Sequence, residues 1–167
     1  MSIAFDVFIE AFLNKVTSYD YVDMDDSIFA AQTDRFLFGA CAEFENIFRR
    51  RTGLSFFDRD MDNRCFNWNI GEYDVTKTVA VAGDYISMDE VVDIVTEGML
   101  IRWLKSFLFS GDSLDLGNFL ATKDFSPYSP SNFLGQLRGL YDATQKRYTH
   151  LINEFSYNHG NLTNLYL

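Results

Sequence analysis

Apolar side chains fall at steps of three and four along most of this chain, the spacing of one face of a helix. Residues 2–17 carry Ile3, Val7, Phe8, Ala11, Phe12 and Leu13 at that spacing, with Ser2 placed to cap the helix start. Ser18 to Asp23 break the pattern. Asp25 and Asp26 then suit the positive end of a second helix, which runs to about Arg51 and stops at Gly53. Its inner side reads Ile28, Phe29, Phe36, Leu37, Ala40, Phe44, Ile47 and Phe48. Arg49, Arg50 and Arg51 fall in its last turn, where cations complement the helix dipole.

The middle changes period. Phe66, Trp68 and Ile70 alternate with Asn67 and Asn69. After Gly71 and Glu72, Tyr73, Val75, Val79 and Val81 fall among Asp74, Thr76, Thr78 and Ala80. Two such runs joined by Gly-X predict a β-hairpin over 64–82. A lone hairpin is marginal in water, so it needs helices or a neighbour to lean on.

Helical spacing returns at Ser87, which forms a capping-box pair with Glu90. The run from Val91 to Leu108 is apolar almost all round and predicts a central helix, with Trp103, Leu104 and Phe107 in the core. A short helix over Leu114–Ala121 leads into a loop bracketed by Pro127 and Pro130, the two prolines of the chain. The last helix carries Phe133, Leu137, Leu140, Tyr141, Thr144, Tyr148, Leu151, Ile152 and Phe155 on one face, with Gly135 and Gly139 read as close-packing positions. It closes at His159, read as a cap of the final carbonyls, and Gly160. The expectation is a single, mainly all-α domain over residues 1–167. It is a bundle of four to five helices with an inserted hairpin, a long C-terminal helix and an extended tail at 160–167.

Composition sharpens this. The chain is 47% hydrophobic and 17% aromatic, with 17 Phe, which excludes disorder and leaves apolar groups for burial against partner subunits. The 14 Lys and Arg against 24 Asp and Glu give a net charge of −10. That balance argues against holding nucleic acid by its phosphates. Cys41 and Cys65 have no metal or disulfide spacing, and Cys41 in its Gly-Ala-Cys-Ala patch reads as a buried thiol between close helices. Asp6 and Glu10 interrupt the first apolar residues, so no signal peptide is read there, and no run of roughly 18 apolar residues predicts a membrane span.

Candidate chemistry is thin. Asp58, Asp60 and Asp62 are the densest carboxylates and raise the idea of a metal-dependent nuclease. They lack the glycine-bearing loop and closing Glu of a calcium site, and read as a solvated loop in which Arg59 pairs with a neighbour. His150 and His159 have no nucleophile or orienting partner in a recognisable pattern. No catalytic, metal or cofactor residue is expected.

Several segments together resemble head–tail connector proteins of tailed bacteriophages. They are the core-helix run Gly98-Met99-Leu100-Ile101-Arg102-Trp103-Leu104, then Lys123-Asp124-Phe125-Ser126-Pro127-Tyr128-Ser129, then Leu134-Gly135-Gln136-Leu137-Arg138. The closing Phe155-Ser156-Tyr157-Asn158-His159-Gly160-Asn161-Leu162 belongs with them, as do Phe12 to Val16, Tyr19 to Tyr21, Phe44 and the Asp58-Arg59-Asp60 loop. The Gly71–Ile86 stretch is longer than the family's link into the core helix. The resemblance implies a structural virion protein without enzymatic activity, assembled in the host cytoplasm. Its expected role is an oligomeric ring of roughly twelve copies beneath the portal. Its partners would be the portal protein, neighbouring copies and further neck or tail proteins. DNA would pass through the channel unbound during packaging and genome ejection. Tyr157, His159, Leu162, Leu165, Tyr166 and Leu167 are the expected docking residues, and Phe66, Trp68 and Tyr73 the expected inter-subunit or hairpin contacts. The alternative reading is a small cytosolic helical adaptor or regulator that binds a protein partner.

Overall fold

The computed structural model describes residues 2–16, 25–52, 57–68, 88–109 and 130–159. In chain order these form β1 (Ser2–Ala4), α1 (Phe5–Lys15), α2 (Asp26–Thr52), β2 (Phe57–Asp60), β3 (Cys65–Trp68), α3 (Met88–Phe109) and α4 (Pro130–His159). The mainly α class is as expected. The short helix read at Leu114–Ala121, the strand read at Tyr73–Val81 and the tail at 160–167 lie outside the described residues.

The apolar helix α3 is the hub, packed against α1, α2 and α4. Val91, Ile94, Val95, Met99 and Leu104 are fully buried, which is why a helix with so little polar face is stable there. Around it close Phe5, Phe8 and Phe12 of α1, Phe36, Leu37, Ala40 and Phe44 of α2, and Tyr148, Ile152 and Phe155 of α4. Helices α2 and α3 approach closely where side chains are smallest. A Cβ built on Gly98 would lie 3.0 Å from the Ala40 Cβ, and one on Gly39 would lie 2.8 Å from Arg102 Nε. Cys41 is buried beside this crossing, as its small-residue setting predicts, and burial pushes its thiol well above the ordinary range.

Helix starts follow local chemistry. The Asp25 carboxylate accepts the Ser27 N–H at 2.9 Å, and its carbonyl accepts the Ile28 and Phe29 N–H groups. Helix α4 begins on Pro130, whose missing N–H costs nothing at the first helical position. Ser2 is not a cap. It belongs to β1, and α1 starts after Ala4, which has no side chain to offer the free N–H groups. Three residues of extended chain gain more by pairing with a strand than by lengthening a helix start.

The hairpin among the described residues is β2–β3, earlier in the chain than the one expected over 64–82, whose second strand lies outside the described residues. Strand β3 pairs antiparallel with β2 on one side and β1 on the other, with Phe66 opposite both Arg59 and Ile3. With both its edges occupied over 65–67, β3 has none left there for the 73–81 run. The Asp-rich segment is therefore not a loop. Asp58 and Asp60 lie in β2, and the turn Met61–Arg64 joins the strands. Asp60 builds that turn by accepting the Asn63 backbone N–H at 3.0 Å and its side-chain amide at 2.8 Å. Arg64 closes it in the left-handed region, φ 48°. Three contacts hold it there: its carbonyl accepts the Phe5 N–H at 2.9 Å, its guanidinium grips Asp34 through two bonds of 2.9 Å, and its charge lies over the Phe5 ring. Arg59 likewise covers the Phe38 ring at 3.7 Å.

Candidate functional site

Apart from the Arg64–Asp34 pair, the long-range ion pairs among the described residues converge on α3. Glu97 sits inside the apolar run between Val95 and Met99, and its side chain is only 3% exposed. A buried carboxylate is costly unless opposite charge reaches it. Two other helices supply that charge. Lys15, the last residue of α1, donates to Glu97 at 2.8 Å and to Asp93 at 2.6 Å. Arg147 of α4 lies 3.5 Å from Glu97 and 3.6 Å from Asp93. The four charges cancel. Because Lys15 and Arg147 keep contact with solvent while Glu97 does not, the cluster is a surface network with one buried foot. It joins α1, α3 and α4 at a single point.

A second polar junction lies one turn further along α3. Arg102 reaches across to α2, donating to the Gly39 carbonyl at 2.7 Å and the Glu43 carboxylate at 2.9 Å. Tyr148 of α4 packs against Gly98 from the other side. Burial first, and then the Glu43 charge, hold its phenol well above the ordinary range. The Tyr148 hydroxyl, Arg102 Nε and the Ser156 hydroxyl are buried without a hydrogen-bond partner among the described residues.

The two halves of α4 differ. From Thr144 to Ser156 its inner stripe is buried on α3 and α2. Toward the start, Leu134, Leu137 and Tyr141 continue the same stripe but are only half-buried, and Leu140 is 51% exposed. Among the described residues, Gly135 and Gly139 are not close-packing positions. Both are exposed, and a Cβ on either would meet nothing within 4 Å. A shallow depression on this helix is lined by Asp142, Gln145, Lys146 and Thr149.

The expected site residues separate accordingly. Tyr157 is 71% exposed near the end of α4, free of the chain's own core. His159 is placed in the last turn by its backbone alone, and Leu162, Leu165, Tyr166 and Leu167 lie outside the described residues. Phe66 is not available to a partner. It is 1% exposed at the centre of an aromatic cluster, with ring centroids 4.7 Å from Phe5, 4.9 Å from Phe57 and 5.8 Å from Phe8. Much of the phenylalanine surplus is absorbed this way. Phe5, Phe8, Phe12, Phe36, Phe44, Phe66 and Phe155 are all buried in the chain's own core. Trp68 pairs with Phe57 through its backbone in β3, and Tyr73 lies outside the described residues. Of the expected core residues, Leu104 is fully buried, Trp103 is half-buried against the core, and Phe107 is placed by backbone only.

His150 faces solvent, 3.7 Å from Glu154 one turn on, rather than the core. Asp58 and Asp62 are exposed, and hydrogen bonds from the Asn63 side chain and backbone lower the Asp60 carboxyl below its ordinary value. No group of three His, Cys, Asp or Glu among the described residues is arranged to hold a metal ion. No described helix is long and apolar enough to cross a membrane.

Nothing in the local spacing singles out Lys15 or Arg147. The lone Glu97 within an apolar helix, one turn after Asp93, was the available signal. It says that cations must come, but not from where. No family model, curated protein or solved structure matches the chain.

Proposed function

We propose that this chain is a structural subunit of a phage neck, a head–tail connector that forms a homo-oligomeric ring under the portal and extends the DNA channel. One structural observation supports it above the others. Helix α4 spans 30 residues, about 45 Å at 1.5 Å per residue, and the chain's own core buries only the stripe of its second half. Among the described residues, the half-buried Leu134, Leu137 and Tyr141, the exposed Leu140 and, at the far end, Tyr157 are not closed over by the core, and we read them as contacts outside the subunit. A cyclic ring needs two different complementary surfaces on each copy, and a helix that overshoots its own core supplies one. The net charge of −10 suits a channel wall that repels phosphates and lets DNA slide. The subunit does no chemistry and uses no cofactor. Its partners are the portal protein, its own neighbours and the next neck or tail protein, and its place is the capsid vertex.

The test is cryo-EM of portals purified from heads assembled with and without the chain. A ring of this protein on the portal is expected, together with filled heads that leak DNA or fail to join tails when it is missing. Deleting 161–167 should abolish incorporation while leaving the subunit's melting temperature nearly unchanged. Portals that stay bare at saturating subunit, with the protein instead bound to a helical cytosolic partner, would replace this reading with the adaptor one.

A further inference from the structure

We propose that α4 has two usable registers on α3, one helical turn apart, and that Arg147 selects the observed one through Asp93 and Glu97. The apolar stripe of α4 comes close to repeating itself at four residues. Slide the helix so that each residue takes the place of the one four positions later. Leu140, now 51% exposed, fills the buried place of Thr144. Thr144 takes the place of Tyr148, Tyr148 that of Ile152, Leu151 that of Phe155, and Ile152 that of Ser156. Every fully buried place is again filled by an apolar side chain or by Thr144, while the half-buried place of Leu151 against the core would receive Arg147. That threonine carries its own hydrogen-bond partner, since its hydroxyl donates to the Leu140 carbonyl at 2.8 Å within the same helix.

The observed register has specific penalties. It buries the Ser156 hydroxyl without a partner among the described residues and leaves Leu140 half in water. In its favour are the Phe155 ring, packed 5.2 Å from Phe44, and Tyr148 against Gly98. These terms oppose one another, so apolar packing alone is a weak selector. The ion cluster is not degenerate. A one-turn slide puts Ala143 where Arg147 stands and moves the guanidinium about 6 Å along the helix, away from its 3.5 Å contact with Glu97. Lys15 would be the one cation left on two carboxylates, one of them buried. A charged pair that sets register at little gain in stability is the best-attested use of such a cluster. The register decides how far the first half of α4, with Leu134, Leu137 and Tyr141, projects beyond α3. The inference does not depend on the connector reading.

Moving the cation tests it. The double variant Ala143→Arg with Arg147→Leu carries the charge one turn back and puts an apolar residue where the slid helix needs one. Nitroxide labels on Lys105→Cys and Gln145→Cys, both exposed positions, report the register by electron–electron distance measurement. Cys65→Ser removes the half-buried native thiol, and buried Cys41 stays unlabelled. The wild-type pair should give one distance, and the double variant a single different one, changed by the projection of the roughly 6 Å slide on the line between the labels. An unmoved distance in a folded double variant overturns the proposal. If that variant does not fold, Arg147→Leu alone is read. There Glu97 keeps Lys15, and a second distance population supports the proposal while a single wild-type one overturns it.

Discussion

Replacing one glycine by alanine should have opposite effects at two places in this chain. In a helix interior the change gains about 1 kcal/mol of intrinsic propensity wherever the methyl has room. At Gly139 a Cβ meets nothing within 4 Å, so the full gain is expected. At Gly98 the same methyl would stand 3.0 Å from the Ala40 Cβ and 3.2 Å from the Tyr148 ring. Tyr148 can turn, but the Ala40 Cβ is fixed to its backbone, so α2 itself must move. Overpacking a filled core costs about 1–3 kcal/mol, and a contact that only a helix shift relieves belongs in the upper part of that range. Subtracting the propensity gain leaves a net loss of about 1–2 kcal/mol for Gly98→Ala. For a chain of this size each kcal/mol moves the melting temperature by about 2–4 °C. Urea denaturation and thermal melting of Gly98→Ala, Gly139→Ala and Ala40→Gly/Gly98→Ala together make the test. Removing the Ala40 methyl should recover about 1 kcal/mol of the Gly98→Ala loss when compared with Ala40→Gly alone, because the two sites touch. A Gly98→Ala protein as stable as Gly139→Ala would refute the close α2–α3 crossing.

Phe66→Ala should cost about 3–5 kcal/mol in the isolated subunit, as for a fully buried aromatic; unchanged denaturant stability would return Phe66 to a partner surface. Tyr148→Phe removes a buried hydroxyl that has no partner among the described residues, so its melting temperature should hold or rise, and a loss above about 1 kcal/mol would mean that the hydroxyl is bonded after all. A thiol reagent at pH 8 should modify Cys65 in the folded chain and leave Cys41 untouched until denaturant is added; equal rates would contradict the burial of Cys41. Asp25 is lowered by its hydrogen bonds from Ser27, and Asp60 by those from Asn63. Their contribution is therefore present above the unfolded carboxylate value of about 3.9 and lost as pH falls through the lower folded values. The stability difference between the wild type and Asp25→Asn/Asp60→Asn should shrink below about pH 4, and a gap that widens there would reverse the assignment.

Periodicity in the sequence was enough to place α2, α3 and α4, the central burial of α3 and the small-residue crossing at Cys41. Each follows from interactions within a few turns of chain: apolar spacing, a carboxylate at a helix start, a proline at a first turn. The same local signals missed two of the three described strands. Alternation marked Phe66 and Trp68 as strand, but a strand's partner is chosen across the whole chain. Here it is found in Ser2–Ala4 and in the Asp-rich segment, whose charges hid a strand and a turn. Aromatic content told that large rings must be buried, not against what, and the fold gathers Phe5, Phe8, Phe57 and Phe66 into one core from three separate stretches. Gly98 and Gly139 look alike in a helical pattern, yet one lies under Tyr148 and the other faces open space. Glu97 drew its cations from residues 82 positions earlier and 50 later. Local spacing decides which helices form, because the groups involved are covalent near neighbours. Only tertiary packing decides which faces meet, because burial and charge pairing act between residues whose distance along the chain says nothing of their distance in space.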